Sequence, residues 1–414
     1  MASRLRVLVA IGMAVLLSSY AAASDRKQKK KNKKSGSAIT LEFKARLETE
    51  MRAPTPAMGL DGSQLDWQAR RVGVQGTAFK RIGFEVSREL SQDFETSHDL
   101  SEKTAWRDAY VDIRGTKAFN LEVGRFKLPF GREELTAETS LDFAHRSLAA
   151  RVLSPGRDPG VMAHGRVFGR AVTYEAGYFT RDGDNARTSQ TEGGKDAIVA
   201  RVTIEPFGGS GDRLLAPLEI GVNAAESHLD NRLGLRGRTV LGDGVFFDRL
   251  YVNGARRRAG LDARWERGPV ALSGEYIALA DERKGMGFAG NDLPEVRATA
   301  WYGAGAWVLT GERKHGRPEP SREFLRGGFG AVEVAARVER LAFGTALYAG
   351  AVSPGKLLAN SDRATTIGIN WYLNHYVKVA GDVIHESIDD SERSPVPTTN
   401  GRFTSTVVLL QFRF

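Results

Sequence analysis

Ile39-Thr40-Leu41-Glu42-Phe43-Lys44-Ala45-Arg46-Leu47-Glu48-Thr49-Glu50-Met51 is the stretch that decides the fold. Apolar side chains stand at 39, 41, 43, 45, 47 and 51, and polar ones at 40, 42, 44, 46, 48 and 50. Successive side chains of a β-strand point to opposite sides, so this alternation describes a strand with one greasy and one wet face. Its thirteen residues exceed the roughly five or six of a globular strand and suit a tilted membrane strand of about ten.

The same pattern recurs along the chain, in 81–87, 106–114, 197–204, 256–266 and 332–339, with charged residues on the wet face. Sixteen such segments can be marked between 39–52 and 402–414. Short connections follow the second, fourth, sixth, tenth and fourteenth, and connections of a dozen residues or more follow most odd-numbered ones. Short turns at one end and long loops at the other is the asymmetry of outer-membrane barrels. Residues 310–326 depart from the scheme, being long where a short turn is expected. The predicted fold is all-β: a transmembrane antiparallel up-and-down barrel of about 16 strands over 39–414. Its apolar face should meet lipid, and its ionic face should enclose a column of water. At the C-terminus Thr406, Val408, Leu410, Phe412 and Phe414 alternate with Val407, Leu409, Gln411 and Arg413. A terminal strand ending on an aromatic resembles the signal read by the barrel-assembly machinery, with Phe412 and Phe414 as its key residues.

Upstream, Arg4 and Arg6 precede an apolar run from Leu5 to Leu17, and Ala21, Ala22 and Ala23 follow. This is the layout of a secretory signal peptide over 1–23, cleaved after about Ala23. Residues 24–38 form a lysine-rich tail expected to be disordered. Two of the nine net positive charges lie in the signal and six in the tail, which leaves one for the barrel. In an exported chain such a tail suits anionic lipid or wall polymer, not nucleic acid. No later segment approaches the eighteen apolar residues of a membrane helix, and the absence of cysteine excludes disulfides and thiol chemistry.

Enzymatic and metal readings find little support. Gly285-Met286-Gly287-Phe288-Ala289-Gly290 fits a phosphate-binding glycine pattern but lacks a strand–helix frame. The seven histidines are dispersed without metal-ligand spacing, although His145 and His164 could approach one another. No catalytic residue, metal or cofactor is expected. Anion conduction calls for fixed positive charge, which arginine keeps at every relevant pH. Alternation turns Arg201, Arg256, Arg258, Arg264 and Arg337 inward. Arg70 and Arg71 are adjacent, so only one can face the lumen unless a bulge intervenes. Arg132, Arg146, Arg151 and Arg157 fall in a long connection that could line a constriction. Paired acids such as Asp262, Glu266, Glu333 and Glu339 could neutralise several of these. Trp67, Phe119, Tyr174, Tyr178, Trp265, Tyr276 and Phe414 fit an interfacial girdle.

Seven segments in order resemble the phosphate-selective porin O and P family. They are Arg70-Arg71-Val72-Gly73-Val74-Gln75-Gly76, Asp108-Ala109-Tyr110, Val123-Gly124-Arg125-Phe126-Lys127-Leu128-Pro129-Phe130-Gly131, His145-Arg146-Ser147, Arg157-Asp158-Pro159-Gly160-Val161, Gly330-Ala331-Val332-Glu333-Val334-Ala335-Ala336-Arg337 and Gly368-Ile369-Asn370-Trp371-Tyr372-Leu373-Asn374. The resemblance implies an outer-membrane porin, a homotrimer of sixteen-stranded barrels. In each, a loop, here Lys127 to Pro159, folds inward to constrict the pore. It also implies small anions such as phosphate as solutes, led along arginines to a lysine-rich constriction. Two features depart from the family pattern: His145 stands where a Glu is usual, and Lys127 is the sole lysine of the candidate loop. A general or weakly cation-tolerant pore and a structural barrel tethered to the envelope through its tail remain the alternatives.

Overall fold

The computed structural model describes residues 39–90, 106–185, 194–209, 212, 214–345, 359–392, 394 and 401–414. The signal peptide and lysine tail expected over 1–38 lie outside these. Sixteen strands close into one antiparallel barrel. The first half contains β1 (Ile39–Arg52), β2 (Gln64–Ala78), β3 (Ile82–Glu89), β4 (Trp106–Arg114), β5 (Asn120–Lys127), β6 (Arg157–Val167), β7 (Val172–Arg181), β8 (Lys195–Ile204) and β9 (Glu219–Leu233). A small hairpin, β10 (Gly237–Arg238) and β11 (Val245–Phe247), stands apart from the wall. The wall resumes with β12 (Tyr251–Arg267), β13 (Val270–Arg283), β14 (Leu293–Val308), β15 (Ala331–Thr345), β16 (Ala359–Tyr372), β17 (Val377–Ile388) and β18 (Arg402–Arg413).

Each barrel strand pairs with its sequence neighbour, and β1 pairs with β18 to close the ring. Two backbone bonds finish the seam, Ala45 N–H to Phe414 O at 3.0 Å and Phe414 N–H to Ala45 O at 2.8 Å. Closure leaves no unpaired edge, the condition for a sheet to survive in lipid. The apolar face points outward as alternation requires: Phe43 is 60% exposed, Ile198 65% and Ile367 65%. Phe412 lies on this face against Leu373, Tyr376 and Val377, and Phe414 stacks on Tyr376 with ring centroids 6.3 Å apart. Tyr174 donates its hydroxyl to Ala118 O at 2.7 Å, and Trp265 its indole N–H to Leu214 O at 2.6 Å. Both rings thus sit where an apolar body and a polar tip are each satisfied.

Both termini of the barrel lie at the end carrying the shorter turns, the periplasmic end of such a fold. Register shifts occur near the opposite ends of β1/β2, β3/β4, β8/β9, β9/β12, β12/β13 and β13/β14, for example at Glu48/Thr49, Val86/Arg88 and Asp281/Arg283. On the strand that carries the extra residue the facing changes beyond the shift, as on β2, where Ala69 is buried and Trp67 half exposed.

The expected water column is the part that needs correction. Three segments fold into the barrel, not one: residues 128–156, residues 234–250 with the β10–β11 hairpin, and turn 309–330. Together with the wall they bury a large apolar cluster including Phe130, Leu148, Leu153, Val240, Phe246, Phe247, Ile277, Leu279, Leu341, Phe343, Ile384 and Val407. Phe247 stacks on Phe343 at 4.9 Å. Long strands leave room for small apolar residues above the waist, and the loops fill that room. Turn 309–330 explains the exception in the turn pattern. Lys314 bonds Asp142 of the long loop and reaches Glu333 at 2.7 Å, while Arg317 donates to Gln411 at 2.8 Å.

Candidate permeation site

The long loop is placed by carboxylates on the wall that accept its backbone N–H groups. Glu275 takes Arg132 N–H at 2.9 Å, Asp382 takes Ala144 N–H at 2.7 Å and Glu339 takes Leu148 N–H at 2.6 Å. Glu386 holds the second loop the same way, through Val240 N–H at 2.6 Å. Bonds of this kind satisfy amides that the loop would otherwise bury unpaired. Gly131 and Gly156 bracket the loop at φ +76° and +87°. A Cβ would fall 2.9 Å from Glu275 Oε1 at the first and 2.3 Å from Asp184 Oδ1 at the second. Backbone conformation and close approach both demand glycine there.

Most of the arginines expected to line the lumen do point inward, into ion pairs. Arg201 makes two bonds to Asp262, at 2.6 and 2.8 Å. Arg256 bridges Asp281 at 2.6 Å and Asp182 at 2.9 Å, with Arg258 3.5 Å from Asp182. Arg337 reaches Glu339 at 2.8 Å and Glu133 at 3.4 Å, and lies 4.5 Å from the Phe143 ring centroid. Arg264 pairs with Glu266. Arg132 pairs with Glu219 at 2.7 Å. Arg146 ties the loop to itself through Glu133 O and Thr136 O, and Arg151 joins the two loops through Val240 O. Burial pushes the Glu134 carboxyl up, but Arg146 and Lys127 outweigh it and hold it below the usual range. Burial, reinforced by the neighbouring charges of Arg52 and Arg238, lowers Arg151 to about 10.

A different set surrounds open space beside β1–β6. A cavity of about 480 Å³ is lined by Arg46, Arg71, Asp108, Lys127, Glu138 and Arg157, among others. It shares Glu42, Tyr110, His375 and Phe414 with a second cavity of about 600 Å³ nearer the periplasmic end, which also presents Asp112 and Glu122. Arg157, placed by its sequence in the loop, opens β6 and bonds Asp108 at 2.9 Å. Of the Arg70–Arg71 pair, Arg71 reaches Glu89 and Glu138, each at 3.3 Å. Arg70 lies 5.6 Å from the centroid of Trp67, which is itself half exposed on the outer face. The bulge between the two strands sits beside this pair.

Arg46, Arg107, Glu138, Lys314 and Lys378 are the members that sequence reasoning did not single out. Arg46 was legible from the alternation of β1. Arg107 was not, because Trp106 and Asp108 were read as inward. The Val86/Arg88 register shift turns Arg107 in and leaves Trp106 half exposed. Lys378 donates to Leu141 O at 3.0 Å. With Lys314 it brings to the loop the lysines its own sequence lacks. His145 and His164 do not share a partner: His145 meets Glu50 at 2.7 Å and His164 meets Asp112 at 3.0 Å. A glutamate at 145 would oppose Glu50, so histidine suits this neighbour. Asp112, Glu122 and His164 bring ligand atoms within 4.8 Å of one another, the one grouping among the described residues with the makings of a cation site. The 285–290 glycine run lies in the connection between β13 and β14.

A closed sixteen-stranded barrel, greasy outside and narrowed at its waist by an infolded loop, defines an outer-membrane porin. Residues 56–414 match the phosphate-selective porin O and P family, and the chain belongs to it. Porin O of Pseudomonas aeruginosa is 22% identical over 350 residues, covering 77% of this chain and 75% of that protein. Among solved structures, the anion-selective porin from Comamonas acidovorans superposes with a TM-score of 0.53 at 14% identity, over 91% of this chain and 100% of the other. The trimer form of in-vitro folded OmpT from Vibrio cholerae gives 0.54 at 12% identity, over 91% and 100%.

Proposed function

We propose that this porin prefers anions, with phosphate and related oxyanions as its solute class, and that it works as a homotrimer. The observation that carries the reading is the gathering of Arg46, Arg71, Arg157 and Lys127 around open space at the waist, with Arg107 3.6 Å from Glu138 of the same lining. Guanidinium groups pair with oxyanions in bidentate fashion and stay charged, while several weak sites in series let an ion leave again. The anion-selective neighbour and the trimeric one support solute class and assembly respectively. Export through cleavage after about Ala23, insertion by the barrel-assembly machinery through Phe412 and Phe414, and contact of the lysine tail with anionic envelope polymers complete the proposal.

The acidic lower cavity, with Glu42, Asp112 and Glu122, favours a second reading as a cation-tolerant pore. Planar-bilayer recording separates the two. Under a KCl gradient the reversal potential should take the sign of anion preference, and added phosphate should reduce chloride current. A cation-signed potential with no phosphate effect establishes the second reading. Absence of channels leaves only a structural, envelope-tethering barrel. Deleting residues 24–37 should leave conductance unchanged.

A further inference from the structure

We propose that Glu138 is a tethered counter-anion: its carboxylate occupies the seat among Arg46, Arg71 and Arg107 that a permeating oxyanion must take, so that passage requires displacing it. The inference rests on the anion-preferring reading above.

Three arginines from three strands converge on this one loop carboxylate. Arg71 Nη1 lies 3.3 Å from it and Arg107 Nη2 3.6 Å, while Arg46 makes the closest contact. A carboxylate presents the same pair of charged oxygens to a guanidinium that phosphate does, so one can substitute for the other. Exposure sets Glu138 apart from the acids that hold Arg201, Arg256 and Arg337. Its side chain is 24% exposed and borders the 480 Å³ cavity, whereas those of Asp262, Asp182 and Glu339 are 1%, 0% and 0% exposed. Removing a sealed carboxylate strands a buried charge, but a hydrated one exchanges with water and ions at small cost. The seat survives the exchange, because Arg46 keeps Glu48 at 2.7 Å and Arg71 keeps Glu89. Glu138 opens a single 3₁₀ turn, Glu138–Ser140, so its displacement does not require unfolding a longer element. A built-in competitor weakens binding of the solute without removing the positive charge that attracts it, which is what conduction through a binding site needs.

The test uses the full-length protein in planar bilayers. Chloride current is titrated with inorganic phosphate for the wild type, Glu138→Asp and Glu138→Gln. Losing a charge-assisted competitor should lower the half-inhibitory phosphate concentration about tenfold in Glu138→Gln. Glu138→Asp, which keeps the charge on a shorter arm, should fall between. Under a KCl gradient Glu138→Gln should also move further toward anion preference. Phosphate inhibition at the wild-type concentration in both variants, with the wild type anion-preferring, overturns the counter-anion while leaving the proposed function intact. A cation-preferring wild type insensitive to phosphate overturns the function itself. If Glu138→Gln does not assemble, Glu138→Asp decides: a lower half-inhibitory concentration supports the proposal and an unchanged one overturns it.

Discussion

On β8, β12 and β15 four inward charges are sealed: Arg201, Arg256, Arg258 and Arg337 are each at most 4% exposed, and each bonds an acid of the wall or loop. Beside β1–β6 the inward charges of Arg46, Arg71 and Arg107 have side chains 14–17% exposed, and Arg46 and Arg71 open onto a cavity that Arg107 reaches through Glu138. Both sets are arginines on alternating strand positions, yet they do different work. In the first set the ion pairs and wall carboxylates fasten the infolded loops over an apolar filling, and position is what they supply. In the second the same side chain borders open space, and on the function proposed above it trades partners with a solute. Inward direction alone therefore does not separate the two sets; exposure to the cavity does.

The largest effect should come from opening a sealed pair. Arg337→Ala leaves Glu339 and Glu133 buried without their cation and should destabilise the protein by about 3–5 kcal/mol. The heat-induced unfolding transition, followed by gel mobility, should drop, and surviving channels should conduct more because the loop is freed. A wild-type transition would refute the fastening role. Leu148→Ala, which empties apolar filling without touching charge, should cost about 3 kcal/mol. Its single-channel currents should become noisier while the reversal potential stays put. A shifted potential would show that the dry side contributes to selectivity after all.

On the wet side the order of effects should invert. Arg71→Gln should change stability by about 1 kcal/mol or less, since its pairs are partly hydrated. It should nevertheless move the reversal potential toward cations and raise the phosphate concentration needed for half-inhibition several-fold. Smallest of all, Lys44→Gln removes an exposed 2.9 Å pair with Glu85, worth about 0–1 kcal/mol and screened by salt. Any change in conductance should vanish between 0.1 and 1 M KCl, roughly the range over which the Debye length falls from about 10 to 3 Å. A change that persists at high salt would place Lys44 in direct contact with the solute.

The sequence by itself determined the barrel. Sixteen alternating segments, the amphipathic terminal strand ending at Phe414 and the outward face that begins with Leu41 and Phe43 could be read from it, because side-chain period and turn length are local properties of the chain. It also determined which arginines turn inward wherever strands run without interruption. Only the tertiary structure decided what those arginines do. Whether Arg337 is sealed or Arg71 hydrated depends on where loops 128–156 and 234–250 come to rest, and those loops are held by Glu275, Asp382, Glu339 and Glu386 from distant strands. Arg107 needed a bulge to face inward, Lys314 a turn that climbs into the barrel, and Glu138 three partners drawn from β1, β2 and β4. Such contacts join residues as much as 238 positions apart, and no local periodicity records them.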